Sequence, residues 1–153
     1  MTAAVVQLRN VSVRLGPVWA LTGVDLAVQP GERVALVGAN GSGKSTLLRT
    51  LHGLLPPAQG LVARHPALRQ AMLFQRPHLL RMSALGNVAL GLWLDRGQGL
   101  SWPQAKARAT EALQRVGLSA VARQSGRQLS GGQQQRLAMA RVLESSGAAE
   151  LIA

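Results

Sequence analysis

The sequence predicts an α/β fold with a β-rich, hairpin-like opening and a helical remainder. Three observations predict it. Apolar residues nearly alternate between Val6 and Val28; the apolar run Val34-Ala35-Leu36-Val37 leads through a glycine-rich turn into a helical stripe; and from Ser83 onward apolar residues recur at helical spacing.

In chain order, Val6, Leu8, Val11, Val13 and Leu15 form one alternating strand with a phase slip at Asn10, left through the turn Gly16-Pro17. Val24, Leu26 and Val28 continue the alternation to Pro30-Gly31, which leads into a buried strand over residues 34–37. A helix is expected from about Lys44, with Leu47, Leu48, Leu51 and Leu54 as its apolar face. Gly53 caps its C-terminus and Pro56-Pro57 ends it. A short strand pair follows, one member over residues 61–63 and the other a buried strand over residues 69–75.

Leu85, Val88, Ala89, Leu92 and Trp93 mark a helix over residues 83–94, and residues 95–100 a loop. Ser101 and Gln104 make a capping box with Pro103 in the first turn. Ala105, Ala109, Ala112, Leu113 and Val116 form the buried stripe before Gly117 stops the helix. Trp93 and Trp102 are read as packing residues.

Length and composition set bounds. The 153 residues suit one ordinary domain with a real core, and the lack of cysteine excludes disulfides and thiolate metal sites. No stretch reaches the ~18–20 continuous apolar residues that a membrane span needs. Residues 1–7 carry no secretory signal, so a cytoplasmic location is expected. The net charge of +11 attracts anionic partners. Its arginines are spread along the chain without a track, however, so solvated faces account for them and no nucleic-acid partner is expected.

The chemistry concentrates in Gly38-Ala39-Asn40-Gly41-Ser42-Gly43-Lys44-Ser45-Thr46, which reads as a phosphate-binding loop. A triphosphate needs many N–H donors converging on one point, and a turn free of Cβ atoms lets the backbone approach it. Gly38, Gly41 and Gly43 supply that turn. The helix that follows adds free amides and a positive dipole end; Lys44 reaches the β- and γ-phosphates, Ser45 ligates Mg²⁺, and Thr46 extends the donor row. A second helix start lies at Leu129-Ser130-Gly131-Gly132-Gln133-Gln134-Gln135-Arg136, where Ser130 is a good N-cap, Gln133 stands three residues on, and two glycines leave the first amides open to an anion. That helix runs through Leu137, Met139, Ala140 and Leu143.

Taken together, residues 38–46 as a Walker A motif, Gln75 within Leu73-Phe74-Gln75-Arg76-Pro77, and the LSGGQ string at 129–133 resemble the nucleotide-binding domain of ATP-binding cassette (ABC) transporters, over nearly the whole chain. The resemblance implies a P-loop NTPase core with an N-terminal antiparallel β part and a helical subdomain. The division would be a β-rich and P-loop core over 1–76, a helical subdomain over 77–130, and the signature helix over 131–153. It implies ATP and Mg²⁺ as cofactors, with Gln75 touching the metal and the attacking water. Ser130, Gly131, Gly132 and Gln133 would contact the γ-phosphate of ATP held by a second nucleotide-binding subunit in a head-to-tail dimer. It further implies a transmembrane permease subunit docking near residues 77–90, a substrate-binding protein, and a place on the inner face of the cell membrane.

An importer is expected, since no membrane domain is fused, and residues 74–94 resemble cassettes of tungstate- or phosphate-type oxyanion importers. A non-transport ABC ATPase acting on DNA or the ribosome is the alternative. It is disfavoured because only residues 76–128 separate Gln75 from the signature, without sustained heptads, and because there is one cassette. An unrelated P-loop kinase or GTPase is opposed by residues 129–133.

Departures from the family pattern accompany the match. Leu15 stands where the family places its adenine-stacking aromatic, before Gly16. Two readings remain for Trp19: a replacement platform for the base, or a core or edge tryptophan. After Leu143 no apolar strand ending in Asp-Glu is read, and neither Glu144 nor Glu150 is assigned as a base. A truncated cassette with an incomplete central sheet is therefore expected, holding ATP but hydrolysing it poorly, or surviving as an inactive remnant.

Overall fold

A computed structural model of the chain describes residues 4–68, 70–74, 76–95, 97–145 and 149–152. Among the described residues five strands, β1 (Val6–Leu15), β2 (Val18–Val28), β3 (Gln59–Arg64), β4 (Gln70–Leu73) and β5 (Ala149–Ile152), are interleaved with four α-helices, α1 (Lys44–His52), α2 (Ala84–Leu94), α3 (Trp102–Arg115) and α4 (Gly131–Ser145). Two compact units result, one from residues up to Gln70 and one from Ala71–Ile152.

In the first unit β1 is the middle strand of an antiparallel sheet ordered β2-β1-β3. Val6, Leu8, Val11 and Val13 are buried on its inner face. The expected phase slip is real: the β1–β2 register shifts between Leu8 and Val11, and Asn10 takes a left-handed φ of 49°. Asn tolerates that conformation better than most residues, and here its amide donates to Asp25 Oδ1 at 2.9 Å. The slip returns Val11 to the buried face. Gly60 of β3 crosses the bulge at φ 85°, where a Cβ would stand 2.2 Å from the Asn10 carbonyl oxygen.

Helix α1 is held to this sheet at its C-terminal end. The Arg64 guanidinium, from β3, donates to the carbonyls of Leu51 at 2.8 Å and Thr50 at 2.6 Å, and Gly53 turns left-handed with its amide on the Arg49 and Thr50 carbonyls. Leu51 is buried, as expected of the apolar face. Leu54 is not part of that face, because it lies beyond the left-handed turn and is exposed.

Three expectations are corrected. Residues 32–39 form no strand: no ladder pairs them among the described residues, and Val37 is 94% exposed. A buried strand needs partners on its flanks. The strands near residues 61 and 70 do not pair with each other; β3 joins β1, and β4 joins β5. Finally, β5 itself is a strand beyond α4 where none was read, since four residues are too few to show a period and only pairing reveals them.

The second unit packs α2, α3 and α4 around Val88, Ala89 and Leu92, Ala105, Ala109, Ala112 and Leu113, and Leu137 and Ala140. The alanine stripe lets α3 approach its neighbours closely, with Leu79, Leu118 and Leu129 closing the ends. The capping box forms, the Ser101 amide donating to Gln104 Oε1 at 2.9 Å. Trp93 and Trp102 pack edge to face at 5.9 Å, as expected of packing residues, and Arg115 pairs with Glu144 between α3 and α4. Among the described residues no helix is long and apolar enough to cross a membrane.

Gly60→Ala is expected to destabilise the chain by about 2 kcal/mol or more, because both backbone strain and overlap with the bulge must be relieved. Gly16→Ala, also at positive φ but with nothing within 4 Å, is expected to cost only about 1–2 kcal/mol. Equal losses in urea unfolding would refute the close approach. A second expectation concerns His52, whose pKa burial lowers below 6.5 with help from Arg64. The unfolded chain protonates first as pH falls through 6.5, so His52 takes stability away below that pH and is neutral above it. In an NMR titration Arg64→Ala should move His52 back towards 6.5; an unmoved imidazole would mean burial alone sets it.

Candidate functional site

Residues 38–46 close into a tight loop at the N-terminus of α1. The three glycines serve different ends. Gly41 and Gly43 take φ of 83° and 89°, while a Cβ on Gly38 would stand 2.8 Å from Ser42 Oγ across the loop. Gly43 is also pressed against β2, where a Cβ would meet the Ala20 carbonyl oxygen at 2.6 Å and Leu21 Cδ2 at 2.9 Å. Sequence reading missed this pair, since nothing local in Ala20-Leu21 marks it; the hairpin places it there.

The start of α1 has no side-chain cap and no acidic residue in its first turn. The amides of Lys44, Ser45 and Thr46 therefore have no intrahelical acceptor and no internal anion, which is the condition for binding an external one. The Lys44 ammonium donates to the carbonyls of Gly38 at 2.8 Å and Ala39 at 2.7 Å, so its charge is held against the loop. Asn40 and Ser45 are exposed, and Thr46 is buried with its carbonyl accepting from Thr50 Oγ1 at 2.8 Å. Ser45 offers a hard hydroxyl oxygen suited to Mg²⁺, whose remaining ligands in such sites are phosphate oxygens and water. No cluster of three His, Cys, Asp or Glu capable of holding a metal occurs among the described residues.

On the β1–β2 hairpin, Leu15 faces Val18 and Arg14 faces Trp19. Cross-strand partners share a face and neighbours alternate, so Trp19 stands on the opposite side from Leu15. Its ring lies 5.8 Å from the Arg14 guanidinium carbon.

The second helix start forms as expected in the other unit. The Ser130 amide donates to Gln133 Oε1 at 2.9 Å, and the Gln133 amide reaches back to Ser130 Oγ at 3.4 Å. Gly131 and Gly132 have nothing within 4 Å of a Cβ, and both are exposed with Ser130, so the first turn of α4 faces open space. Gln134 Nε2 ties this turn back to the Leu129 carbonyl at 2.9 Å. Gln75 lies outside the described residues. Glu144 is paired with Arg115.

Comparisons with known proteins agree with one another. The family model described as ABC transporter matches residues 21–148. The chain is 45% identical over 143 residues to the aliphatic sulfonates import ATP-binding protein SsuB of Rhodopseudomonas palustris (strain BisA53), covering 90% of this chain and 49% of that protein. It is 42% identical to the phosphonates import ATP-binding protein PhnC 2 of Cupriavidus metallidurans, covering 91% and 57%. It thus spans about half the length of the curated relatives it matches. Among solved structures, the ATP-binding cassette MJ0796, in a dimeric post-hydrolysis state bound to ADP and Pi, superposes with a TM-score of 0.80 at 34% identity over 92% of this chain and 69% of that one.

Gly43→Ala is expected to weaken binding of a fluorescent nucleoside triphosphate roughly tenfold or more, since the Cβ must displace the loop from Ala20 and Leu21. Gly131→Ala, with open space around it, is expected to leave that affinity within about twofold. Equal effects would refute the assignment of the loop.

Proposed function

The chain belongs to the ABC transporter family, and we propose that it is the ATP-holding part of the ATP-binding subunit of an importer. The observation that carries this reading is the start of α1, uncapped and free of acid, with Lys44 held against a glycine loop, in the same chain as a capped and open LSGGQ helix start. The amides of residues 41–46 and Lys44 take the phosphates. Ser45, together with Gln75, would hold Mg²⁺, which when bound would supply charge neutralisation for the transferring phosphoryl group. Ser130, Gly131, Gly132 and Gln133 close over nucleotide bound to a second nucleotide-binding subunit; the dimeric state of the ADP-bound structural neighbour supports this arrangement.

A permease subunit and a substrate-binding protein complete the machine, at the inner face of the membrane. The names of the sulfonate and phosphonate importers support import of an oxyanion. A second reading rests on one observation: the lipoprotein-releasing system ATP-binding protein LolD of Pseudomonas syringae pv. tomato is 41% identical over 160 residues, covering 92% of this chain and 69% of that protein. It would make the cassette serve extraction rather than import. Binding to a permease of each kind, co-expressed with the chain, separates the two.

Within these 153 residues no aspartate follows Asp95, and Glu144 pairs with Arg115. A polypeptide of these residues alone is therefore expected to hold ATP but to hydrolyse it poorly. Lys44→Ala is expected to abolish binding of labelled ATP, and unchanged affinity would overturn the loop assignment. Turnover by residues 1–153 is expected roughly 10²-fold or more below that of intact cassettes; rates equal to theirs would refute the need for further carboxylates.

A further inference from the structure

Asn87 of α2 is among the most deeply buried polar side chains of the described residues, 1% exposed, with both its amide oxygen and its amide nitrogen hydrogen-bonded. Its Oδ1 accepts from the Leu80 amide at 2.9 Å, and its Nδ2 is shared among the carbonyls of Met82 at 3.1 Å, Ser83 at 3.1 Å and Leu80 at 3.3 Å. One amide group thus holds residues 80–83 against the start of α2. That segment in turn is knitted to the chain that leads into α4. The Gly126 amide donates to Met82, the Ala84 amide to Gln124 and the Leu85 amide to Ala122, Arg127 Nε reaches the Leu79 carbonyl at 3.2 Å, and Ser83 and Ser125 form an antiparallel bridge.

Asn87 touches the incoming chain as well. A Cβ on Gly126 would stand 3.0 Å from Asn87 Nδ2 and 3.3 Å from Leu137 Cδ2 of α4. Gln134 Nε2 then carries the connection from the carbonyls of Leu129 and Arg127 into the first turn of α4. The links are hydrogen bonds and close contacts within one unit, and the buried polar side chain at their root is an amide that no apolar residue of the same size can replace.

We propose that Asn87 is a positioning residue for the LSGGQ helix start: it sets where Ser130 and Gln133 stand by fixing residues 79–83, on which residues 122–128 are laid. The inference rests on the reading above that this helix start meets nucleotide, but the bond path does not. An apolar residue at 87 would serve the core equally well, so an amide there is explained by what it holds.

Hydrogen exchange on the whole chain tests it. In Asn87→Leu the amides of residues 79–86 and 130–134 are expected to lose protection roughly tenfold, the equivalent of one buried bond, while those of α3 keep theirs. The affinity for fluorescent ATP, which depends on the loop of the other unit, is expected to stay within about twofold. Loss confined to residues 79–86, or spread equally through α3, would overturn the proposal. Should Asn87→Leu not fold, Arg127→Ala decides, because that side chain is exposed and its bond to Leu79 is a separate link: loss at residues 130–134 sustains the proposal and its absence overturns it. Failure of the wild-type chain to bind ATP would count against the nucleotide reading while leaving the exchange pattern to decide the role of Asn87.

Discussion

Backbone amides can converge on an anion only where no side chain stands in the way and no internal acceptor has already taken them. That requirement shapes the first unit. It places Gly43 in a left-handed conformation directly under the Ala20 carbonyl, leaves the first turn of α1 without cap or carboxylate, and so makes the position of the loop depend on β2. The hairpin fixes β2, the bulge at Asn10 fixes the hairpin, and Gly60 lets β3 cross that bulge. At its far end α1 is tied to β3 through Arg64. The sheet therefore holds the phosphate helix at both ends.

The second unit meets a different demand, to present a helix start in open space without fraying. Packing of α2, α3 and α4 over small residues gives a firm base, and the capping box of Ser130 and Gln133 satisfies the end groups while leaving the glycines bare. Much of the large positive charge has structural employment. Arg64, Arg127, Arg136 and Arg141 each donate to backbone carbonyls, at Leu51 and Thr50, Leu79, Val116 and His78. The guanidinium, with its several donors and long apolar stem, suits carbonyls that helices and loops leave over.

Most of the helices and the antiparallel opening were legible because each carries a local signature: the alternation through Val13, the alanine stripe of α3, the paired Ser and Gln at both capping boxes. Asn10 shows how far this goes, since a slip in the alternation located a bulge to the residue. The loop residues were legible for the same reason: glycine, lysine and serine at that spacing answer a chemical need rather than a packing one. Leu54 was misjudged because apolar spacing continues past Gly53 while the backbone does not. The partners of β3 and β4 were misjudged because strand pairing is non-local, and nothing in residues 61–75 states which edge each will meet.

What the sequence determined by itself is the chemistry on offer: a glycine loop with a lysine, an open capped helix start, and the family to which both belong. These depend on residue type and spacing within a few positions, and spacing survives any tertiary arrangement. Only the tertiary structure decided that Ala20 and Leu21 press on Gly43, that Trp19 stands opposite Arg14 and on the other face of the hairpin from Leu15, that residues 34–37 pair with no strand among the described residues, and that Asn87 gathers the chain leading to Ser130. Each of these is a contact or its lack between segments far apart in sequence, and such contacts are set by which surfaces are left to bury once the local elements have formed.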